Sequence, residues 1–244
     1  MKTWLKCILL TLFVAAFCVG TGVIASKSRE SRDVLTCRQL SIHFEDSLKF
    51  ETEGSIREEV NSGYGAFIGQ RIADVNLDRI ESMLKERAAI ANAEVWMAED
   101  CILHVSIRQR LPEIRVMPKG REGFYVDAGG AVFPLCEDFE IEVPTIEGNV
   151  DTEPEGISDM LRFIRECRSL GWIGRFSRIE MDRSGNLNVR LHGENETFVL
   201  GDTSDMGSKL SKVEKYLDTV KGRAEYATVN VKYSNQIICS RKDI

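Results

Sequence analysis

Apolar and polar residues alternate in three different ways along the chain. From Cys7 to Ala25 there are 19 positions without a charge. As a helix rising 1.5 Å per residue, such a run is ~28 Å long, close to the ~30 Å hydrocarbon core of a bilayer. Lys2 and Lys6 precede it, and Ser26, Lys27, Ser28, Arg29 and Glu30 follow, so both ends carry residues that stay in water. The pattern predicts a transmembrane helix over 7–25, a short tail over 1–6 and a linker over 26–36. A cleaved signal peptide is the competing reading, with Val23-Ile24-Ala25 as the cleavage site. Signal cores usually run to about 7–15 residues, and this run is longer. Cys18 follows Phe17 and not a small residue, which argues against a lipoprotein site.

Residues 37–112 read as strand, helix, helix, strand, strand. Leu40, Ile42 and Phe44 alternate with polar neighbours as in a half-buried strand. Ser55 and Glu58 form a capping-box pattern that opens a short helix closed near Gly63. A second helix starts at Asn76, with Leu77, Ile80, Leu84 and Ala88 on one stripe. Strands follow over 90–97 and 101–110, and in the second Leu103, Val105 and Ile107 share a face. Two helices on one side of a three-stranded sheet would bury both stripes at once.

Beyond Pro112 the elements shorten. Asp127-Ala128-Gly129-Gly130 separates two apolar runs as a hairpin turn would. The stretch 137–156 holds eight acidic residues, no Lys or Arg, and Pro144 and Pro154, and reads mostly as loop. A helix follows through Ile157, Met160, Leu161, Ile164 and Cys167 and ends near Gly171. Strand pairs are predicted around Arg183–Asn186 and His192–Asn195. A helix with Leu210, Val213, Leu217 and Val220 comes next, then a final hairpin in which 226–233 turns at Ser234-Asn235 into 236–241. The fold class is α+β: an N-terminal transmembrane helix, a β-α-α-β-β module, then a mostly antiparallel β-rich domain with helices over 113–244.

The 244 residues are 43% apolar, 29% charged and 8% aromatic, enough for a real core, and their net charge of −6 leaves no electrostatic footprint for nucleic acid. Two of the basic residues, Lys2 and Lys6, precede the apolar run, so the remainder sets 30 basic against 38 acidic side chains, or −8. That balance argues against the soluble part lying flat on anionic lipid. Its five cysteines (Cys37, Cys101, Cys136, Cys167 and Cys239) are widely spaced, odd in number and without a C-x-x-C, and read as small buried hydrophobes rather than a disulfide framework.

Catalytic constellations fail on particular residues. His43, His104 and His192 fall in no zinc-binding or nucleophile-elbow pattern. Cys101 and His104, three apart on a strand, face opposite ways and would need a loop to share a metal. Asp127-Ala128-Gly129 is half of an aspartic-protease site, but a hairpin turn using Gly129 and Gly130 for positive φ explains it far better. Asp151-Thr152-Glu153-Pro154-Glu155-Gly156 begins like a calcium loop, yet the position for the bidentate Glu is Arg162. Gly63-Tyr64-Gly65-Ala66-Phe67-Ile68 lacks the last glycine of a dinucleotide fingerprint. Arg108, Arg110, Arg115, Lys119 and Arg121 gather basic charge between the two modules, either as a solvated brace or as a partner patch. No enzyme, cofactor or metal is expected.

Several segments, in their order behind the anchor, resemble the FtsQ/DivIB family of cell-division proteins. Val105–Pro112 ends in amide, Arg, any, Pro. Tyr125–Phe133 is similar to a tyrosine-aspartate-glycine hairpin, Val143–Gly148 to a Pro-x-x-x-Gly turn, and Val229–Tyr233 to a last long strand. The resemblance implies a POTRA domain over 37–112 and an FtsQ-type β domain over 113–244. It also implies a cytoplasmic N-terminus, a single pass through the inner membrane and a periplasmic bulk at the division site. The function it implies is a non-enzymatic divisome scaffold that binds FtsB and FtsL and takes up FtsB by β-augmentation on an edge strand. That strand maps to Tyr226, Thr228, Val229, Asn230, Val231, Lys232 and Tyr233, although Thr228 stands where some relatives carry an aromatic residue. Arg108, Arg110 and Arg115 are a possible second partner patch. The alternatives are a POTRA-bearing envelope assembly or secretion chaperone, and a hydrolase using Asp127 or Cys101.

Overall fold

The computed structural model describes residues 35–220 and 226–241. The predicted membrane helix over 7–25 lies outside them, and among the described residues no helix is long and apolar enough to cross a membrane. The chain divides into two units. The first comprises residues 35–47 and Glu51–Gln109; the second comprises Leu48–Phe50 and the chain from Arg110 onward. The division thus falls three residues before the boundary read from the sequence.

In the first unit, β1 (Gln39–Phe44), α1 (Glu53–Glu59), α2 (Leu77–Lys85), β2 (Ile90–Met97) and β3 (Ile102–Gln109) follow the predicted order. The sheet order is β1-β3-β2, with β1 parallel and β2 antiparallel to β3. The alternating residues Leu103, Val105 and Ile107 are fully buried against Ile56, Ile80 and Leu84 of the helices. Helix α1 starts earlier than its sequence pattern suggests. Thr52 is the N-cap, its hydroxyl accepting from Ser55 N at 3.1 Å, while Ser55 Oγ accepts from Thr52 N at 3.0 Å. Ser55 therefore closes the capping box from the third helical position instead of opening it.

A partly buried ionic joint ties the helices together. Arg87, between α2 and β2, donates to both oxygens of Glu51 at 2.9 and 2.8 Å and to Glu59 at 2.6 Å. Glu51 also accepts from Ser55 Oγ, and its own N–H donates to Gln109 Oε1 at 2.8 Å. Gln109 in turn donates twice to Asp46, through N at 2.7 Å and Nε2 at 2.8 Å. Glu51, above all, raises the Arg87 pKa against the opposing effect of burial.

The second unit carries one nine-stranded sheet. Its strands are β4 (Pro112–Pro118), β5 (Phe124–Asp127), β6 (Val132–Pro134), β7 (Thr145–Gly148), β8 (Phe176–Met181), β9 (Leu187–Leu191), β10 (Thr197–Gly201), β11 (Tyr226–Asn230) and β12 (Ile238–Arg241). They lie in the order β12-β11-β10-β9-β8-β7-β4-β5-β6. Helices α3 (Pro154–Ser169) and α4 (Met206–Thr219) bury Ile157, Met160, Phe163, Leu210, Val213 and Tyr216 in its core. Five of the eight neighbour pairs are antiparallel; β4 with β7, β7 with β8, and β10 with β11 are parallel.

Strand β7 replaces the turn read at Val143–Gly148, within a stretch, 137–156, that is otherwise mostly loop as the sequence indicates. It lies inside the sheet, its Ile146 fully buried between Val116 and Ile179 in register. Four residues among acidic neighbours give too short an alternation to recognise. Gly148 ends it at φ 100°, and a Cβ there would meet Met181 O at 2.4 Å, so the glycine is required twice over.

Replacing Arg87 by Met would leave the Glu51 carboxylate, 7% exposed, without its cation. The expected cost is about 3 kcal/mol, the low end for breaking a buried pair, because Arg87 itself keeps some solvent contact. Denaturant unfolding of the variant against the parent measures it.

Candidate partner-binding edge

The last two strands are positioned by α4. Its connection makes β10 and β11 parallel, pairing Thr197 with Thr228, Phe198 with Val229 and Val199 with Asn230. Val231 N continues the ladder by donating to Val199 O at 3.0 Å. The chain then doubles back, and β12 pairs antiparallel with β11 through Asn230–Ile238, Val229–Cys239, Thr228–Ser240 and Tyr226–Arg241. No other described strand pairs with β12.

Two lysines three residues apart on α4 hold the C-terminal ends of the parallel pair. Lys209, almost fully buried, donates from Nζ to Asp202 O at 2.9 Å and to Asp202 Oδ1 at 2.6 Å. Lys212 donates to Val231 O and Tyr233 O, both at 2.6 Å. Burial lowers the Lys212 pKa; Asp205 opposes this and Lys209 adds to it. Lys209, then Ser204, hold the Asp202 carboxyl down to about 2. Beneath the hairpin, buried Glu196 accepts from Tyr216 Oη at 3.2 Å. Burial first, and Glu196 second, push the Cys239 thiol pKa up.

The structure brings the seven predicted edge residues together and changes their place. Tyr226, Thr228, Val229 and Asn230 lie on β11, which is hydrogen-bonded on both sides and is not an edge. Val231 is fully buried past the strand end. Lys232 places Nζ 5.2 Å from the ring centre of Tyr233, which is exposed. At this end of the sheet the side that meets no other described strand belongs to β12, on which Ile238 and Ser240 are exposed. The signal was available: a final hairpin puts its second strand outside the first whenever the first is already taken by a crossover.

The basic trio divides between the units. Arg108 is exposed on β3 of the first. In the second, Arg110 pairs with Asp127 at 2.8 Å. Arg115 pairs with Glu140, donates to Tyr125 Oη at 3.0 Å and to Ile141 O at 3.1 Å, and lies over the Tyr125 ring. Burial opposes the Arg115 charge, but Glu140 and the Tyr125 hydroxyl outweigh it and raise its pKa. These two arginines are therefore internal braces. Asp127 Oδ1 accepts from Gly129 N at 2.8 Å and Ala131 N at 2.9 Å, which commits its carboxylate to the turn. His104 stacks on Trp96, ring centres 5.3 Å apart, while Cys101 is buried in the β2–β3 turn. Asp151 Oδ1 accepts from Glu153 N ahead of α3.

A family model described as FtsQ/DivIB, C-terminal related, matches residues 111–240. A POTRA-like domain model matches residues 35–108. No curated protein matches the chain.

Two measurements test this corner. Lys212→Met is expected to raise amide hydrogen exchange across 232–241 about tenfold, as loss of ~1.4 kcal/mol of local stability would, with the first unit unchanged. Asp202 stabilises the folded state above its ordinary range, near 4, and loses that contribution as pH falls toward 2. Asp202→Asn is expected to lower the melting temperature at pH 6, with the difference from the parent narrowing steadily below pH 4 in thermal melts.

Proposed function

Since the chain belongs to the FtsQ/DivIB family, and so is a division-related protein containing a POTRA-like domain, we propose that it is a single-pass scaffold of the division machinery without catalytic activity. In this reading residues 7–25 anchor it in the inner membrane. The first six residues are cytoplasmic and both folded units are periplasmic. Partners of the FtsB and FtsL type dock by adding a strand to β12.

The observation that carries the docking claim is the position of β12. It is one of the two outermost strands of the nine, and its outer side meets no other described strand; the other, β6, is shorter and ends in Pro134, which has no N–H to donate. An unpaired strand offers N–H and C=O groups that favour pairing with an extended segment, while alternate side chains supply selectivity. Exposed Ile238 and Tyr233 add apolar surface at the same end of the sheet. A non-enzymatic role is supported by the engagement of Asp127 in its own turn and with Arg110.

Neighbouring residues on a strand direct their N–H groups to opposite sides, so of Cys239→Pro and Ser240→Pro one removes a donor facing outward and the other a donor facing β11. In the full chain, one of the two variants is expected to keep the parental melting temperature yet bind the periplasmic part of an FtsB-type partner at least about tenfold more weakly. Undiminished binding by both variants in a titration would overturn docking at β12.

A further inference from the structure

The first unit's described residues contain two cysteines, Cys37 and Cys101, exposed by only 1% and 3%. They come from opposite ends of that sequence, one just ahead of β1 and one closing the β2–β3 turn, yet their backbones run side by side. Arg38 N donates to Cys101 O at 2.9 Å, and Gln39 is in register with Ile102. A displacement of one residue between strands ~4.8 Å apart puts the two Cα atoms ~6 Å apart, inside the span of a disulfide. Both are free thiols in this structure. The Cys37 pKa is raised, first by burial and also by the nearby Cys101.

Cys101 is also a backbone outlier. Its φ is +67°, one of two positive values at non-glycine residues among those described. The turn closes through Cys101 N to Ala98 O and Ala98 N to Ile102 O, each 3.1 Å. A left-handed residue at the end of such a hairpin loop is usually glycine, which holds that conformation without strain. Here a strained position is occupied by a buried thiol beside another buried thiol.

We propose that Cys37 and Cys101 are joined by a reversible disulfide, an inference that rests on the periplasmic placement given above. The two thiols lose two protons and two electrons to a disulfide-bearing dithiol oxidant. One Sγ–Sγ bond forms, and the oxidant's disulfide is reduced to two thiols. The bond has a mechanical purpose. Among the described strands β1 is an edge strand bonded to β3 alone, and under the anchoring proposed above the chain that precedes it leads to the membrane. Tension along that segment loads β1 first, and the covalent tie at Cys37 passes it to the turn that begins β3.

The test is peptide mapping without reductant on the full chain, acid-trapped and alkylated in cells, alongside the purified chain equilibrated in a glutathione disulfide buffer. The expected product in both is a linked pair of peptides carrying Cys37 and Cys101 that separates on reduction. Oxidation is expected to raise the unfolding midpoint by about 5 °C or more. The shift is lost in Cys37→Ser and in Cys101→Gly, and the latter, relieved of its strained φ, is at least as stable as the reduced parent. Both thiols alkylated even in the oxidising buffer would overturn the pair. A linked pair in the buffer but free thiols in cells would leave the pairing intact and overturn the periplasmic placement.

Discussion

A hairpin cannot join two parallel strands; the chain has to leave the sheet, cross it and return in the same direction. Most of the second unit follows from that constraint. Strands β7 and β8 are parallel, so α3 must carry the chain between them, and its apolar stripe becomes half of the core. Strands β10 and β11 are parallel, so α4 does the same at the far end. Once α4 has delivered β11 to the open side of β10, the short remaining chain folds back on β11, and β12 becomes the outermost strand at that end of the sheet. The strand at this edge of the sheet is thus set by a crossover some 30 residues earlier in the chain.

The motifs that carried the family resemblance turn out to be joints. Gln109 has an accepting oxygen for Glu51 N and a donating nitrogen for Asp46, which explains an amide at that position. Arg110 bonds to Asp127, so the Arg of one motif and the Asp of the next are two halves of one ion pair. Tyr125 packs edge-on to Phe50 at 5.4 Å and accepts from Arg115, while Gly148 lies where no side chain fits. Each residue type is required by bonding or space, without any reference to catalysis.

Legibility in the sequence tracked the length and regularity of the pattern. The first unit's order and its buried faces were readable because Leu103, Val105, Ile107 and the Ile80–Leu84 stripe repeat over several positions. The start of α1 was misplaced because Thr52 and Ser55 satisfy the same local rule, and only the hydrogen bonds distinguish cap from third residue. Strand β7 was invisible because its stability comes from neighbours on both sides rather than from its own four residues. The edge of the sheet was assigned one strand too early for a related reason: alternation reveals a strand, but not how many of its sides are already paired.

A four-residue edge also limits what main-chain pairing alone can do. In an antiparallel edge strand half the residues turn both polar groups outward, so β12 offers roughly four hydrogen bonds. At a net ~1 kcal/mol each they contribute about 4 kcal/mol, whereas micromolar affinity needs about 8 kcal/mol after the cost of association is met. Burial of side chains has to supply the difference. Ile238 and Tyr233, each exposed by more than 40%, are the large apolar groups at that corner. Complete burial of such a side chain from full exposure contributes about 1.5–3 kcal/mol, and these two are already more than half covered, so together they add only about 1–3 kcal/mol. In the proposed docking, a strand that pairs with β12 and covers both therefore still falls short of micromolar affinity, and a partner that binds that tightly has to bury further apolar surface beyond this corner. A short edge by itself thus disfavours indiscriminate strand addition.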